Sequence, residues 1–316
     1  AVDFFFLLSG FVINYAYNDR WKEMTTASFF KRRLIRLHPM LIMGAFIGLI
    51  CFLIGGSEQW NGTKIPLYVS IITFLLTCFM IPALPSSFNE IRGNGELFPL
   101  NGPMWSLFFE YIGNILYAIF IRRLSTKLLT FVVILLGILH SIFTIGNLSG
   151  YGNLGVGWTF DTINFCGGML RMLFPFTLGM LISRRFKAIK LPYPFLICSI
   201  LLIATLSMPY LSAFKAINFN GIYESFCITV IFPLILIIGA SSQEKSKLSQ
   251  TLGELSYPLY IIHYPIMYIF YQWLIKTKQY TLSETYPVAI LVVILSIVLA
   301  FILLKLYDKP LRQRLK

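Results

Sequence analysis

Three ionisable side chains sit in stretches that otherwise read as membrane-spanning: Asp3 in AVDFFFLLSGFVI, Glu110 in NGPMWSLFFEYIGN and His263 in LSYPLYIIHYPIMYIF. A titratable group is costly in hydrocarbon and normally faces a bundle interior or cavity, so each marks a candidate site for polar chemistry within a membrane. Glu110 follows Trp105 and Ser106 and has Asn114 one turn further along the same helical face. Its carboxylate could hold a histidine in one tautomer, bind a substrate hydroxyl or accept an ion pair from an arginine; a purely structural pair fits the same position. His263 lies between two prolines beside Tyr257, Tyr260 and Tyr264. A neutral imidazole can act there as general base toward a hydroxyl, although a buried histidine is more often a hydrogen-bonded part of the packing. His38, beside arginines at an interface, and His140, on an apolar helix without polar neighbours, are weaker candidates.

The strongest cationic pattern is SFFKRRLIRLHP, residues 28–39. On a helix entering the membrane Arg32 and Arg36 are i,i+4 neighbours and Arg33 and Arg36 are i,i+3, so the three guanidinium groups are expected to converge on one face. Such a fork suits phosphates. A juxtamembrane anchor that fixes orientation and meets anionic lipid would use the same residues. Other chemistries lack their signatures: there is no GxxxxGK[ST], HExxH or GxSxG, and Gly93, Asn94 and Gly95 are too short a pattern for a phosphate cradle. The five cysteines fall in or beside apolar runs without CxxC spacing, so they are expected to pack, with neither a disulfide framework nor a metal site. Aromatic side chains, Trp105 and Tyr260 among them, are packing groups first and a sugar-stacking surface second.

The elements that must position these groups are membrane helices. Hydrophobic residues make up 57% of the chain and long apolar runs recur throughout, which places it among integral membrane proteins. Strand-like alternation is absent, so an all-α polytopic bundle is expected rather than a barrel. Nine or ten segments are anticipated, at about 1–17, 39–54, 65–84, 103–121, 128–145, 164–182, 191–211, 222–240, 255–275 and 286–307. A net charge of +13 is common in nucleic-acid binders, but here the cations lie in short loops between apolar segments, where membrane orientation explains them and no nucleic-acid partner is expected. Clusters at residues 20–36, at Arg122, Arg123 and Lys127, at residues 184–190, at Lys245 and Lys247, and in the tail should all face the cytoplasm. Simple alternation breaks this pattern, so one segment between Pro39 and Ile121 is expected not to cross. The loops at 85–102 and 146–164, rich in Gly, Asn and aromatics, are the expected rims of an acceptor site.

The order of VDFFFLLSGFVI (residues 2–13), FFKRRLIRLHP (29–39), GPMWSLFFE (102–110), LSYPLYIIHYP (255–265) and YDKPLR (307–312) resembles the membrane acyltransferase 3 family. Each motif is weak alone, but five in family order are specific; residues 122–253 match only in hydropathy. The resemblance implies one integral membrane domain, residues 1–316, in a bacterial inner membrane. It implies transfer of an acyl group, most often acetyl, from a cytoplasmic acyl-coenzyme A co-substrate to a hydroxyl of a cell-surface or lipid-linked saccharide, with no permanently bound cofactor. Arg32, Arg33 and Arg36 would clamp the coenzyme's phosphates, Glu110 and His263 would serve the chemistry, and Trp105, Ser106, Asn114 and Tyr260 would meet substrate. Two departures stand out. The family's principal catalytic histidine, accompanied by an arginine, precedes the DFFF segment, so the chain is expected to be a fragment lacking that helix and inactive by itself; and the tail motif carries Asp308 where glutamate is usual. A transporter or flippase for a polar or lipid-linked substrate is the alternative, in which the same buried charges bind cargo without making bonds.

Overall fold

The computed structural model describes residues 1–211, 218–242 and 246–315; Lys245, counted above with Lys247, lies outside the described residues. Twelve α-helices are found among the described residues: α1 (Val2–Tyr17), α2 (Thr26–Ile54), α3 (Leu67–Cys78), α4 (Met104–Ile119), α5 (Thr126–Ile145), α6 (Thr162–Arg185), α7 (Pro194–Leu206), α8 (Phe219–Phe226), α9 (Phe232–Ser241), α10 (Lys247–Thr277), α11 (Leu282–Leu303) and α12 (Lys309–Leu315). Among the described residues there are no strands, only the isolated bridges Glu58–Lys64 and Glu96–Thr159. The molecule is thus the all-α polytopic bundle the composition requires. Among the described residues six helical stretches are long and apolar enough to cross a membrane, and α1, α3 and α7 are shorter apolar helices.

Three elements differ from the expected spans for local reasons. Helix α2 begins at Thr26, well before Pro39, because Lys, Arg and Leu in the basic turn are good helix formers. Pro39 lies inside the helix and removes only its own N–H donor. Helix α3 stops at Cys78, where the N–H groups of Phe79, Met80 and Ile81 turn back onto the Leu76 and Thr77 carbonyls and Met80 takes a left-handed φ of 57°. Helix α10 runs for 31 residues through Pro258 and Pro265. It is long enough to span, but its tyrosines and prolines leave it less apolar than the six.

The chain divides into two compact units. The first comprises Ala1–Thr26, Phe108–Gly157 and Asp161–Lys245, the second Ala27–Leu107, Trp158–Phe160 and Ser246–Lys316. In the first unit α1 packs closely on α6. A Cβ on Gly10 would lie 1.9 Å from the Phe176 carbonyl oxygen, and one on Gly179 would lie 2.0 Å from that of Leu7, so the two backbones touch where neither residue has a side chain. Small residues permit this approach, and in lipid, where apolar burial drives little helix association, close packing supplies the attraction. In the second unit α2, α3 and α10 pack on the loop at residues 79–103, whose Ile91 and Leu100 are buried with Phe52 and Val69.

Candidate functional site

In the first unit the buried Asp3 carboxylate receives both arms of a guanidinium: Arg171 Nε donates to Oδ1 at 2.9 Å and Nη2 to Oδ2 at 3.0 Å. The third arm, Nη1, donates to the Val156 carbonyl at 2.7 Å, tying the loop at 146–161 to the same point. This fork satisfies a charge that the hydrocarbon would otherwise penalise. Glu110, also buried, accepts the Ser9 hydroxyl at 2.5 Å from the SGF turn of α1. Asn114 folds back on the same helix, its Nδ2 donating to the Glu110 carbonyl at 2.7 Å, while its Oδ1 is buried without a hydrogen-bond partner among the described residues. The Asp3 and Glu110 carboxylates are therefore both fixed around α1, one by an arginine and one by a hydroxyl.

In the second unit α10 presents Tyr257, Tyr260, Tyr264 and Tyr268 at spacings of three and four, one helical face. Tyr257 donates to the Leu37 carbonyl at 2.7 Å, and Tyr260 to that of Pro103 at 3.0 Å. The Tyr260 and Ser106 hydroxyls lie 2.5 Å apart. Tyr268 donates to the Glu96 carboxylate and accepts the Gly102 N–H at 3.1 Å. Pro265, lacking an N–H, leaves the Ile261 carbonyl open, and Asn101 Nδ2 fills the vacancy at 2.7 Å. One row of side chains thus fastens α2, the start of α4 and the loop before it.

His263 sits half-buried in this row. Its Nδ1 lies 3.0 Å from the Leu259 carbonyl and 2.9 Å from that of Tyr260. Both partners are acceptors, so Nδ1 carries the proton and Nε2 keeps the lone pair a base needs. His140 offers no such arrangement: it is fully buried against Phe174, and neither ring nitrogen has a hydrogen-bond partner among the described residues.

The arginine turn of α2 differs from the expected common face. Arg32 and Arg36 are exposed, whereas Arg33 is buried. Spacings of three and four make residues neighbours, but Arg33 lies on the side of the helix that turns inward with Phe29, Leu37 and Met40. The turn is held by Tyr257 on Leu37 and by Tyr307, which donates to the Pro39 carbonyl at 3.1 Å. Asp308 pairs with Arg312 and lies within electrostatic range of Arg36, so the tail motif and the arginine turn share one end of this unit. Trp105 is half-buried on the first turn of α4, in the second unit with Ser106 and Tyr260, while Glu110 and Asn114 belong to the first.

Two further buried charges, Arg171 and Arg92, lie outside the candidate residues named from the sequence. Arg171 lies inside the apolar segment 164–182, and the criterion that flags Asp3 flags it equally. Arg92 stands in a polar loop, where an arginine attracts no notice, yet it is fully buried. Its Nε donates to the Pro99 carbonyl at 2.9 Å, and its guanidinium carbon lies 4.1 Å, 4.7 Å and 4.9 Å from the ring centres of Tyr268, Phe52 and Trp60. Three π faces take the place of acceptors that Nη1 and Nη2 lack among the described residues. Beside it, burial pushes the Glu96 carboxyl above the usual carboxylate range, opposed by the hydrogen bonds from Tyr268 and Asn94. This cluster makes the loop at 85–102 a fixed structure.

A family model described as an acyltransferase domain matches residues 1–305. A protein described as Protein 2 in picA locus, from Rhizobium radiobacter, is 34% identical over 135 residues, covering 40% of this chain and 68% of that protein. No solved structure matches the chain.

Proposed function

The chain belongs to the acyltransferase family whose domain model covers residues 1–305, and on that premise we propose that it transfers an acyl group, in the first instance acetyl, from cytoplasmic acyl-coenzyme A to a hydroxyl of a cell-surface glycan or lipid-linked saccharide. We place it in the inner membrane of a bacterium, in keeping with its Rhizobium relative. The acceptor oxygen attacks the thioester carbonyl, its proton passes to a base, the carbon–sulfur bond breaks and coenzyme A leaves as the thiolate. A bare hydroxyl is a poor nucleophile at neutral pH, so the base matters most. Of this chain's histidines, His263 is the proposed partner of a substrate hydroxyl, its Nδ1 proton held by the Leu259 and Tyr260 carbonyls and its Nε2 lone pair left to act as base. Glu110, positioned by Ser9, supplies a fixed negative charge to orient an acceptor or a protonated base. Trp105, Ser106, Asn114 and Tyr260 are the proposed substrate contacts.

The observation that carries coenzyme binding is the arginine turn of α2, with Arg32 and Arg36 exposed and the backbone behind them held by Tyr257 and Tyr307. A turn held in place loses less entropy on gripping phosphates than a mobile loop. Arg33, expected from the sequence to join this clamp, is buried on the inner side of the same turn. Membranes carrying the full-length protein, supplied with acetyl-labelled coenzyme A, should deposit label in a saccharide fraction, and Arg32→Ala with Arg36→Ala should raise the coenzyme concentration required. Label transfer that is absent from wild-type membranes with every saccharide fraction tried, or that is indifferent to both arginines, would overturn this assignment.

A further inference from the structure

At the end of α6 the first unit holds a cavity of about 360 Å³, lined by Leu181, Ile182, Phe186 and Ile237 together with Arg185 and Lys187. Helix α6 is one of the six stretches apolar and long enough to cross a membrane, and Arg185 is its last residue. The cavity therefore lies where a crossing helix leaves the hydrocarbon, with an apolar lining and two cations. The neighbouring cation is already committed: Arg184 gives Nη1 to the Leu124 carbonyl at 2.7 Å and Nη2 to that of Arg122 at 3.3 Å. Arg185 and Lys187, by contrast, are exposed and make no ion pair among the described residues; Arg185 has only a long 3.4 Å contact to the Thr130 hydroxyl. The carbonyls at the C-terminal ends of α6 and α9 repel anions. Any anion at this point must be held by the two side chains.

We propose that this groove binds one anionic phospholipid, its phosphate between Arg185 and Lys187 and the start of one acyl chain along Leu181, Ile182, Phe186 and Ile237. The choice of occupant follows from the pairing of charge with apolar wall. A free phosphate would use only the two cations, and a neutral lipid only the wall. The volume stands near the lower end of small-molecule sites, which suits a headgroup and the first methylenes of a chain whose remainder lies in the bilayer. The site is separate from the proposed reaction: none of its six residues is assigned a part in acyl transfer.

The test is native mass spectrometry of the full-length protein in detergent, titrated with phosphatidylglycerol and, in parallel, with phosphatidylcholine. One phosphatidylglycerol should be retained in preference to phosphatidylcholine. Arg185→Gln with Lys187→Gln should weaken retention about twenty-five-fold, at roughly fivefold for each cation. Ile237→Trp, which fills the groove and leaves both cations, should abolish it. Arg20→Gln with Lys22→Gln removes equal charge from residues that do not line the groove and should leave retention unchanged. Equal retention of the two lipids, an equal loss in the control pair, or no loss in either groove variant would overturn the proposal. So would full displacement of the lipid by inorganic phosphate or by coenzyme A, the latter assigning the groove to the coenzyme.

Discussion

Asp3 and Arg171 illustrate what a single buried charge demands. Removing one partner of a buried, bidentate pair typically costs about 3–5 kcal/mol because the other is left uncompensated. Asp3→Asn is therefore expected to lower the thermal midpoint in detergent sharply, and combining it with Arg171→Gln should recover much of the loss; two independent, additive losses would show that the pair carries no coupling. Glu110→Gln is a different case, since the amide keeps size and an acceptor for the Ser9 hydroxyl but not the charge. That variant should stay folded and lose most transferase activity, and full activity would demote Glu110 to packing. Arg36→Ala should weaken coenzyme binding by about 1.5–3 kcal/mol, the range for a hydrogen bond to a charged group. Arg184→Ala should instead lower stability with coenzyme affinity intact, because Arg184 is spent on the Leu124 and Arg122 carbonyls. At this scale the membrane's cost for charge made the burial of Asp3 and Glu110 legible in the sequence. Spacing could show that Arg32, Arg33 and Arg36 are neighbours, but which of them turns inward depends on what α2 packs against, and that is a tertiary fact.

Among the elements, α1 with α6 and α10 with its loop show two ways of fixing a site without a hydrophobic driving force between helices. The first uses absence of side chains. Gly10→Ala or Gly179→Ala would put a Cβ about 2 Å from a carbonyl oxygen, so the helices must part. Each variant should lose thermal stability and, because α1 carries Asp3 and Ser9, activity as well. Gly253→Ala is the control: nothing lies within 4 Å of its added Cβ, and in the helical interior alanine gains up to about 1 kcal/mol in propensity. Equal effects at all three glycines would remove close packing as the cause. The second way uses tyrosines, and Tyr268→Phe should loosen the loop at 85–102 by stranding the buried Glu96 carboxylate, seen as faster hydrogen exchange at Leu97 and Gly102. Four tyrosines on one face of α10 are visible in SYPLYIIHYPIMY. The partners of Tyr257, Tyr260 and Tyr268 are backbone carbonyls, the Ser106 hydroxyl and a loop carboxylate, which no spacing encodes.

For the whole molecule, the charge clusters and the helix lengths converge on one topology. With the cations at 20–36 in the cytoplasm, α2 carries the chain out, and the cluster at 122–127 returns to the cytoplasm only if a single crossing occurs across α3 and α4 together. Helix α3 has 12 residues, a rise of about 18 Å against roughly 30 Å of hydrocarbon, whereas the stretch from Met104 to Arg123 has 20 residues. We therefore assign α3 as the segment that does not cross. The parity then places every later cluster on the cytoplasmic side, provided α7, with 13 residues, crosses with the flanks at 191–193 and 208–211. Contacts within each unit agree. The Leu97 N–H donates to the Trp158 carbonyl at 2.9 Å, joining the two loops this topology puts outside, while Arg184 joins the clusters at 122–127 and 184–190, and Tyr307 joins the tail to the arginine turn. In a background lacking the five native cysteines, Lys64→Cys and Phe88→Cys, one on each flank of α3, should both react with an impermeant thiol reagent applied to intact cells. Lys31→Cys and Arg314→Cys should react only after permeabilisation. Labelling of Lys64→Cys and Phe88→Cys from opposite sides would mean that α3 crosses with help from its flanks; the cluster at 122–127 would then face outward, and the orientation that brings cytoplasmic coenzyme A to Arg32 and Arg36 would lose its support.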